Sequence, residues 1–276
     1  NGAANTYVLE VADVIDRQAP VITITSDEPA GGAVKSVNLT FGSNEPAHYM
    51  GNGAELKLNE GNGKYEYGVA LRENGTYRFS FVDKAGNIAE VQYTASKIDN
   101  TAPVINVTGI PETKAQVQAW NSDPANAGNP KTHTSTKEPI TFQVSVNEAG
   151  KLTFGGVTTD IQAGVPVTLS VNASGYYGVS AKDEAENTAY VSFLIDRIDT
   201  SPPVIIFDRS VMKVKQETPL AEFEAAAFAD VIVSDNYDAD MTGRYSLTAS
   251  LTQQQLNTPG TYRIEYTAAD SAGNTR

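Results

Sequence analysis

Four aspartates in the last part of the sequence form the pattern with the most evident chemistry. Asp235, Asp238 and Asp240 lie within six residues in a polar stretch typical of a loop, and Asp270 ends a later strand-like segment. Carboxylate oxygens gathered on a loop are the ligands that Ca²⁺ prefers. The spacing lacks the glycine and the last glutamate of an EF-hand, and the alternative is a solvated loop held by Asx turns. We predict a calcium site of another type at these aspartates.

Three further aspartates begin short proline-containing segments. Asp16, Asp99 and Asp199 each open the pattern Asp-x-x-x-Pro-Val-Ile and are a second predicted location for calcium, and no other cofactor is implied. The chain has two histidines, His48 and His133, far apart in sequence, and it has no nucleophile motif or phosphate loop. A catalytic pair cannot be argued from scattered carboxylates. We therefore expect that the chain is not an enzyme.

The single tryptophan, Trp120, lies in a polar stretch at 111–139 that is rich in Asn, Pro, Thr and Gly. Exposed aromatic rings on loops can stack on sugars, whereas many lone tryptophans cover the end of their own core. Loops on rigid β scaffolds are where binding residues concentrate. Trp120 is therefore the predicted ligand-contacting residue, with core packing as the alternative.

The composition excludes several classes of function. The formal net charge is −13, which argues against nucleic-acid binding, because phosphate contacts need a cationic surface. The chain has no cysteine, which excludes disulfides and thiolate metal sites. No apolar run reaches the roughly 18 residues of a membrane-spanning helix, so we expect no membrane span in this fragment.

Two short motifs recur and define the organisation of the chain. Asp-x-Ala-Gly-Asn occurs at 83–87 and 270–274, and at 183–187 with Glu186 in the place of the glycine. The proline segments that begin at Asp16, Asp99 and Asp199 recur with it. Internal repeats of this kind indicate tandem copies of one supersecondary unit. Between them, short alternating runs such as Val37, Leu39 and Phe41 predict half-buried strands.

The repeats give the predicted domain boundaries. Residues 1–16 are a closing strand, at 6–12, of a preceding repeat plus a linker, and residues 17–99 form the first domain. Residues 100–199 form the second domain with the insertion at 111–139. Residues 200–276 form a third domain of a different variant that lacks its last strand. The third domain has a predicted strand at 211–214 and a helical turn after Pro219. About seven short strands per repeat predict three all-β, immunoglobulin-like β-sandwich domains arranged end to end.

The repeated hairpin motif has a predicted structural role. Its Asp and Asn flank a tight turn, where the side chains of Asp83 and Asp183 should accept hydrogen bonds from backbone amides. Gly86 and Gly273 can adopt the positive φ that such a turn needs, whereas Glu186 must bear strain or change the turn. The prolines of the linkers restrict the backbone and should stiffen the joints between repeats.

The pattern Asn-Gly-Thr-Tyr…Asp-x-Ala-Gly-Asn…Ile-Asp-x-x-Ala-Pro at 74–103 resembles the bacterial immunoglobulin-like repeats of large surface and secreted proteins. Residues 234–274 resemble a second immunoglobulin-like type found in the same proteins, except that Ala239 stands where glycine is usual. The resemblance implies a secreted or cell-surface bacterial protein in which the chain is a spacer between neighbouring domains. The alternative is a module that binds carbohydrate or a matrix protein through 111–139 or the loop ends.

Overall fold

A computed structural model describes residues 15–208, 210–229 and 231–276. The architecture is all-β, with antiparallel sheets and a few short helices, as the sequence predicts. The chain divides into two compact units, the first of which contains residues 15–103 and the short pieces 149–151 and 182–189. The second unit contains the rest of the chain. The predicted strand at 6–12 lies outside the described residues.

Eight strands form the sheets of the first unit: β1 (Ile22–Ser26), β2 (Val37–Ser43), β3 (Ala47–Tyr49), β4 (Ala54–Glu55), β5 (Lys57–Asn59), β6 (Lys64–Leu71), β7 (Gly75–Asp83) and β8 (Ile88–Ala95). One sheet has the order β1-β2-β6-β5 and the other has the order β4-β3-β7-β8. Both sheets contribute to a single hydrophobic core, which makes this part of the chain a β-sandwich.

The first core is built around three phenylalanines. The ring of Phe41 lies 4.6 Å from that of Phe79 and 5.1 Å from that of Phe81, measured between centroids. Phe41 comes from β2, and the other two come from the facing strand β7. Alternation along each strand turns every second side chain inward, so the rings meet between the sheets.

The second sandwich is formed by β9 (Ile105–Thr108), β10 (Ile140–Val146), β11 (Gly150–Phe154), β12 (Val157–Ile161), β13 (Val167–Val171), β14 (Gly175–Asp183) and β15 (Thr188–Ile195). Its sheets have the orders β13-β10-β9 and β12-β11-β14-β15. Phe142 and Val144 from one sheet meet Val179 and Ile195 from the other in the core. The predicted alternation over 140–146 is confirmed as β10.

The polar segment 111–139 contains a helix that the sequence did not predict, α1 (Lys114–Ser122), followed by a 3-10 turn at Pro124–Asn126. A capping box begins α1, because Thr113 and Gln116 exchange side-chain and backbone hydrogen bonds. Val117 is the one residue of α1 that is buried. A helix with so little apolar surface leaves almost no periodic signal in the sequence.

The last part of the chain contains β16 (Val204–Phe207), α2 (Leu220–Ala229), β17 (Val231–Ser234), β18 (Tyr245–Ala249), α3 (Gln253–Leu256) and β19 (Glu265–Ala268). β16 pairs with β17, and β18 pairs with β19. The helix predicted after Pro219 is confirmed as α2, and its Phe223 and Ala227 pack with Leu251 and Leu256 in a small core.

The strand predicted at 211–214 is wrong. These residues have no regular strand structure, although Met212 packs against the core. Val211 is 69% exposed and Val214 is 40% exposed, because no strand among the described residues pairs with them. Their alternation therefore lacks the cross-strand partner that fixes a β-strand.

Candidate functional site

The repeated hairpin motif is held by the same hydrogen bonds in all three copies. In the first copy, one carboxylate oxygen of Asp83 accepts the backbone N–H of Asn87 at 2.8 Å, and the other accepts its side-chain amide at 2.8 Å. Asp183 and Asn187 repeat both bonds at 2.8 Å. Asp270 and Asn274 repeat them at 2.8 and 2.6 Å. The predicted bonding of these aspartates to backbone amides is confirmed.

The turn inside the motif needs a left-handed residue. Gly86 has φ 91° and Gly273 has φ 85°, whereas Glu186 takes φ 68° in the second copy. A side chain at positive φ costs free energy that glycine does not. The second hairpin therefore keeps the same turn and bears strain, and the Glu186 side chain pairs with Lys182 at 2.6 Å.

The asparagine of each hairpin also holds the linker that precedes its own repeat. The side-chain amide of Asn187 donates to the backbone carbonyl of Asp99 at 3.0 Å, and that of Asn274 donates to the carbonyl of Asp199 at 2.9 Å. Asn87 donates to the carbonyl of Asp16 at 3.3 Å. The motif is therefore a clamp for the linker backbone.

Each linker aspartate also folds back on its own segment. One carboxylate oxygen of Asp99 accepts the backbone N–H of Thr101 at 2.9 Å, and Asp199 bonds the N–H of Ser201 in the same way at 3.1 Å. Asp16 accepts the N–H of Gln18 at 3.0 Å. These Asx turns fix the direction in which the linker leaves the clamp.

The clamp gathers carboxylates from distant parts of the sequence. Asp199, Asp235 and Asp270 each place a carboxylate oxygen within 4.8 Å of the others. Asp235 directly follows β17, and Asp270 ends the segment that contains β19. Two aspartates of the predicted calcium set thus lie beside a linker aspartate, an arrangement suited to a divalent cation.

A matching group lies at the start of the first unit. Asp16, Glu45 and Asp83 have carboxylate oxygens within 4.8 Å of one another. Glu45 lies in the loop after β2, and sequence reasoning did not single it out. Burial raises the pKa of Glu45, and the negative charges of Asp16 and Asp83 raise it further.

The other two predicted calcium ligands, Asp238 and Asp240, bond to groups outside the cluster. Asp238 accepts the backbone N–H and the hydroxyl of Ser271 at 2.5 and 2.7 Å and lies 3.8 Å from Arg244. Asp240 accepts the N–H of Thr242 at 2.9 Å, and hydrogen bonding by the side chain and then the backbone of Thr242 lowers the pKa of Asp240. The structure therefore does not place Asp238 and Asp240 in the cluster of Asp235 and Asp270.

Trp120 lies at the end of α1, partly exposed. Its indole N–H donates to the carbonyl of Asn129 at 2.9 Å, and the ammonium of Lys131 lies 3.9 Å from the centre of its ring. Lys131 also pairs with Glu112 at 2.5 Å. One face of the ring is thus covered from within the segment 111–139.

His133 connects the segment 111–139 to the loop that carries Asp235. The side chain of His133 is 8% exposed; its Nε2 lies 3.0 Å from Asp196 and its Nδ1 lies 2.8 Å from the hydroxyl of Tyr237. The rings of His133 and Tyr237 stack with their centroids 5.9 Å apart. Burial and then the charge of Asp196 raise the pKa of Tyr237 to about 12. Tyr237 therefore stays protonated near neutrality, able to donate its hydroxyl proton to Nδ1.

The carboxylate of Asp83 should make the stability of the first unit sensitive to acid. Burial acts to raise the pKa of Asp83, but the hydrogen bonds from Asn87 and from nearby amides outweigh it, and the pKa lies below its ordinary 3.8. Such a group stabilises the fold above its unfolded-state pKa and loses that contribution as the pH falls. Asp83→Ala should lower the melting temperature at pH 7 by roughly 5 °C. The deficit should shrink below about pH 4 in a pH series of thermal melts.

Comparisons with known proteins give matches among solved structures. No family model matches the chain, and no curated protein matches it. A solved structure titled for host cell surface retention of a 1.5-MDa bacterial ice-binding adhesin covers 71% of both chains at 17% identity and a TM-score of 0.30. A Bacteroides ovatus surface protein, SGBP-B, solved with a mixed-linkage heptasaccharide, covers 68% of this chain and 61% of its own at 12% identity and a TM-score of 0.17.

A third structure, the Escherichia coli alpha-2-macroglobulin, covers 71% of this chain and 18% of its own at 8% identity and a TM-score of 0.20. TM-scores this low do not indicate a function, so the function has to be inferred from the residues of the chain itself. Among the residues that the structure describes, no helix has both the length and the apolar character needed to cross a lipid bilayer.

Proposed function

We propose that this chain is a non-catalytic structural module of an extracellular or cell-surface bacterial protein, made of tandem immunoglobulin-like repeats that act as a semi-rigid spacer. The observation that supports the proposal is the linker clamp. The side-chain amides of Asn87, Asn187 and Asn274 each bond the carbonyl of the aspartate that begins the preceding linker. A spacer needs joints that resist bending, and a bonded, proline-stiffened linker supplies them.

Hydrogen exchange tests the clamp directly. In Asn187→Ala, the amide of Thr101, which is bonded to Asp99, should exchange up to about tenfold faster, because a local hydrogen bond is worth about 1 kcal/mol. Asn274→Ala should have the same effect at Ser201. The control is Asn62→Ala, which removes surface bonds to Glu66 and Lys64 and should leave both linkers unchanged.

Small-angle scattering tests the spacer role itself. A radius of gyration well above the roughly 19 Å expected for a compact globule of this length would support it. A value near 19 Å in the wild-type chain would refute the spacer. Unchanged exchange in both asparagine variants would show that the clamp does not stiffen the linkers.

The alternative role as a binding module has its own test. A screen of the chain against glycans and matrix proteins, repeated with Trp120→Ala, would detect a ligand that stacks on that ring. A ligand that binds the wild-type chain and Asn62→Ala but not Trp120→Ala would show that the segment 111–139 is a binding site. The binding module would then replace the spacer as the proposed function.

A further inference from the structure

Two buried carboxylate oxygens near the clamped linker of the second unit have no hydrogen-bond partner. They are Oδ2 of Asp199 and Oδ2 of Asp235, and no other side-chain atom of the described residues shares this state. Asp199 is only 3% exposed. A buried charge without a partner costs several kcal/mol unless something neutralises it. A positively charged partner in contact with both oxygens would therefore offset this cost.

These oxygens belong to a cluster of three carboxylates. Asp270, which is 5% exposed, completes the group, with carboxylate oxygens of all three residues within 4.8 Å of one another. Within the described part of the chain, none of the three carboxylates forms an ion pair with a lysine or arginine. Three like charges at this spacing repel one another strongly at low dielectric.

The remaining oxygens hold the group in a fixed arrangement. Oδ1 of Asp235 accepts the backbone N–H groups of Tyr237 and Asp238 at 2.8 and 2.9 Å. Oδ1 of Asp199 accepts the N–H of Ser201 and, at 3.3 Å, the amide of Asn236. Each of these two carboxylates is thus anchored through one oxygen and leaves the other free. This is how a preformed cation site is built.

We propose that Asp199, Asp235 and Asp270 bind a calcium ion. The donors are all hard oxygens with neither His nor Cys among them, which favours Ca²⁺ or Mg²⁺ over transition metals. Ca²⁺ accepts an irregular set of six to eight oxygens, whereas Mg²⁺ demands near-ideal octahedral geometry. Donors that come from a linker, a loop and a hairpin suit the more adaptable ion. The site goes beyond the proposed spacer role and stands independently of it.

The group of Asp16, Glu45 and Asp83 provides an internal comparison. Asp16 is exposed, and none of these carboxylates has a buried oxygen without a partner. The unpartnered oxygens, rather than the number of carboxylates, distinguish the site at Asp199. Asp16→Asn therefore serves as a control for weak binding at acidic groups in general.

Calorimetric titration of the whole chain with CaCl₂ is the first measurement. We expect a site with a dissociation constant on the order of 10⁻⁴ to 10⁻³ M, as in extracellular modules. Asp199→Asn should weaken it at least about tenfold, and so should Asp235→Asn, because each removes a charged ligand. Asp240→Asn and Asp16→Asn should leave it within about twofold. No binding heat in the wild-type chain, or loss of the site in Asp16→Asn but not in Asp199→Asn, would overturn the proposal.

Thermal melting in EDTA and in 5 mM CaCl₂ distinguishes a role of Asp199 as a calcium ligand from a purely structural role. Without calcium, Asp199→Asn should match or exceed the wild-type melting temperature, because it relieves repulsion between carboxylates. With calcium it should melt below the wild type, which gains stability from the bound ion. If Asp199→Asn does not fold, the same reversal is expected of Asp235→Asn. An equal shift in both buffers, or stabilisation by MgCl₂ equal to that by CaCl₂, would overturn the assignment to calcium.

Discussion

Phe223→Ala should unfold the last part of the chain, from about residue 200 onward, at temperatures where the first unit stays folded. Phe223 is 1% exposed, and among the described residues its core cluster has three other buried members, Ala227, Leu251 and Leu256. Truncating a buried phenylalanine costs about 3–5 kcal/mol, which is comparable with the whole stability of a small domain.

Differential scanning calorimetry would show this loss as the disappearance or early melting of one transition. The matched control is Val211→Ala, because Val211 is 69% exposed and its truncation should change stability by no more than about 0.5 kcal/mol. A loss of less than about 1 kcal/mol in Phe223→Ala would mean that α2 is not part of the stabilising core.

Gly150→Ala should be the most damaging substitution among the glycines that the structure describes. A β-carbon at Gly150 would lie 2.2 Å from the carbonyl oxygen of Lys182 and 3.0 Å from the α-carbon of Asp183. Both atoms belong to the backbone, so neither can rotate away and β14 must shift. Overpacking of this kind costs about 1–3 kcal/mol or more.

The shift should also disturb the hairpin that Asp183 holds, so the amide of Asn187 should exchange faster in hydrogen-exchange measurements. Gly128→Ala is the control, because a β-carbon there meets nothing within 4 Å. Equal melting temperatures for Gly150→Ala and Gly128→Ala would show that the strands adjust without cost.

The parts of the structure that could be predicted are those fixed by local chemistry. The bonds of Asp83 to Asn87 and the positive φ of Gly86 follow from five consecutive residues, and a turn that needs such residues is visible in the sequence. Strand β10 was predictable for the same kind of reason, because period-two alternation marks a strand with one buried face.

The parts that could not be predicted depend on approach between distant residues. Glu45 gave no signal, because its relation to Asp16 and Asp83 exists only once β2 and the hairpin have folded together. Sequence proximity suggested Asp238 and Asp240 as companions of Asp235, but the chain turns both toward nearby amides. The companion that the fold supplies, Asp199, lies 36 residues away. Helix α1 was missed because its capping box, rather than a hydrophobic stripe, defines it.

The linker clamp also bears on how such a chain could be lengthened by recombination. Asn87 and the carbonyl it bonds, that of Asp16, both belong to the stretch from 16 to 99, and Asn187 and Asp99 are related in the same way. A DNA segment that encodes one such stretch therefore carries both partners of its own asparagine–carbonyl bond. Duplicating or deleting such a segment would therefore keep the asparagine–carbonyl bond within each copy.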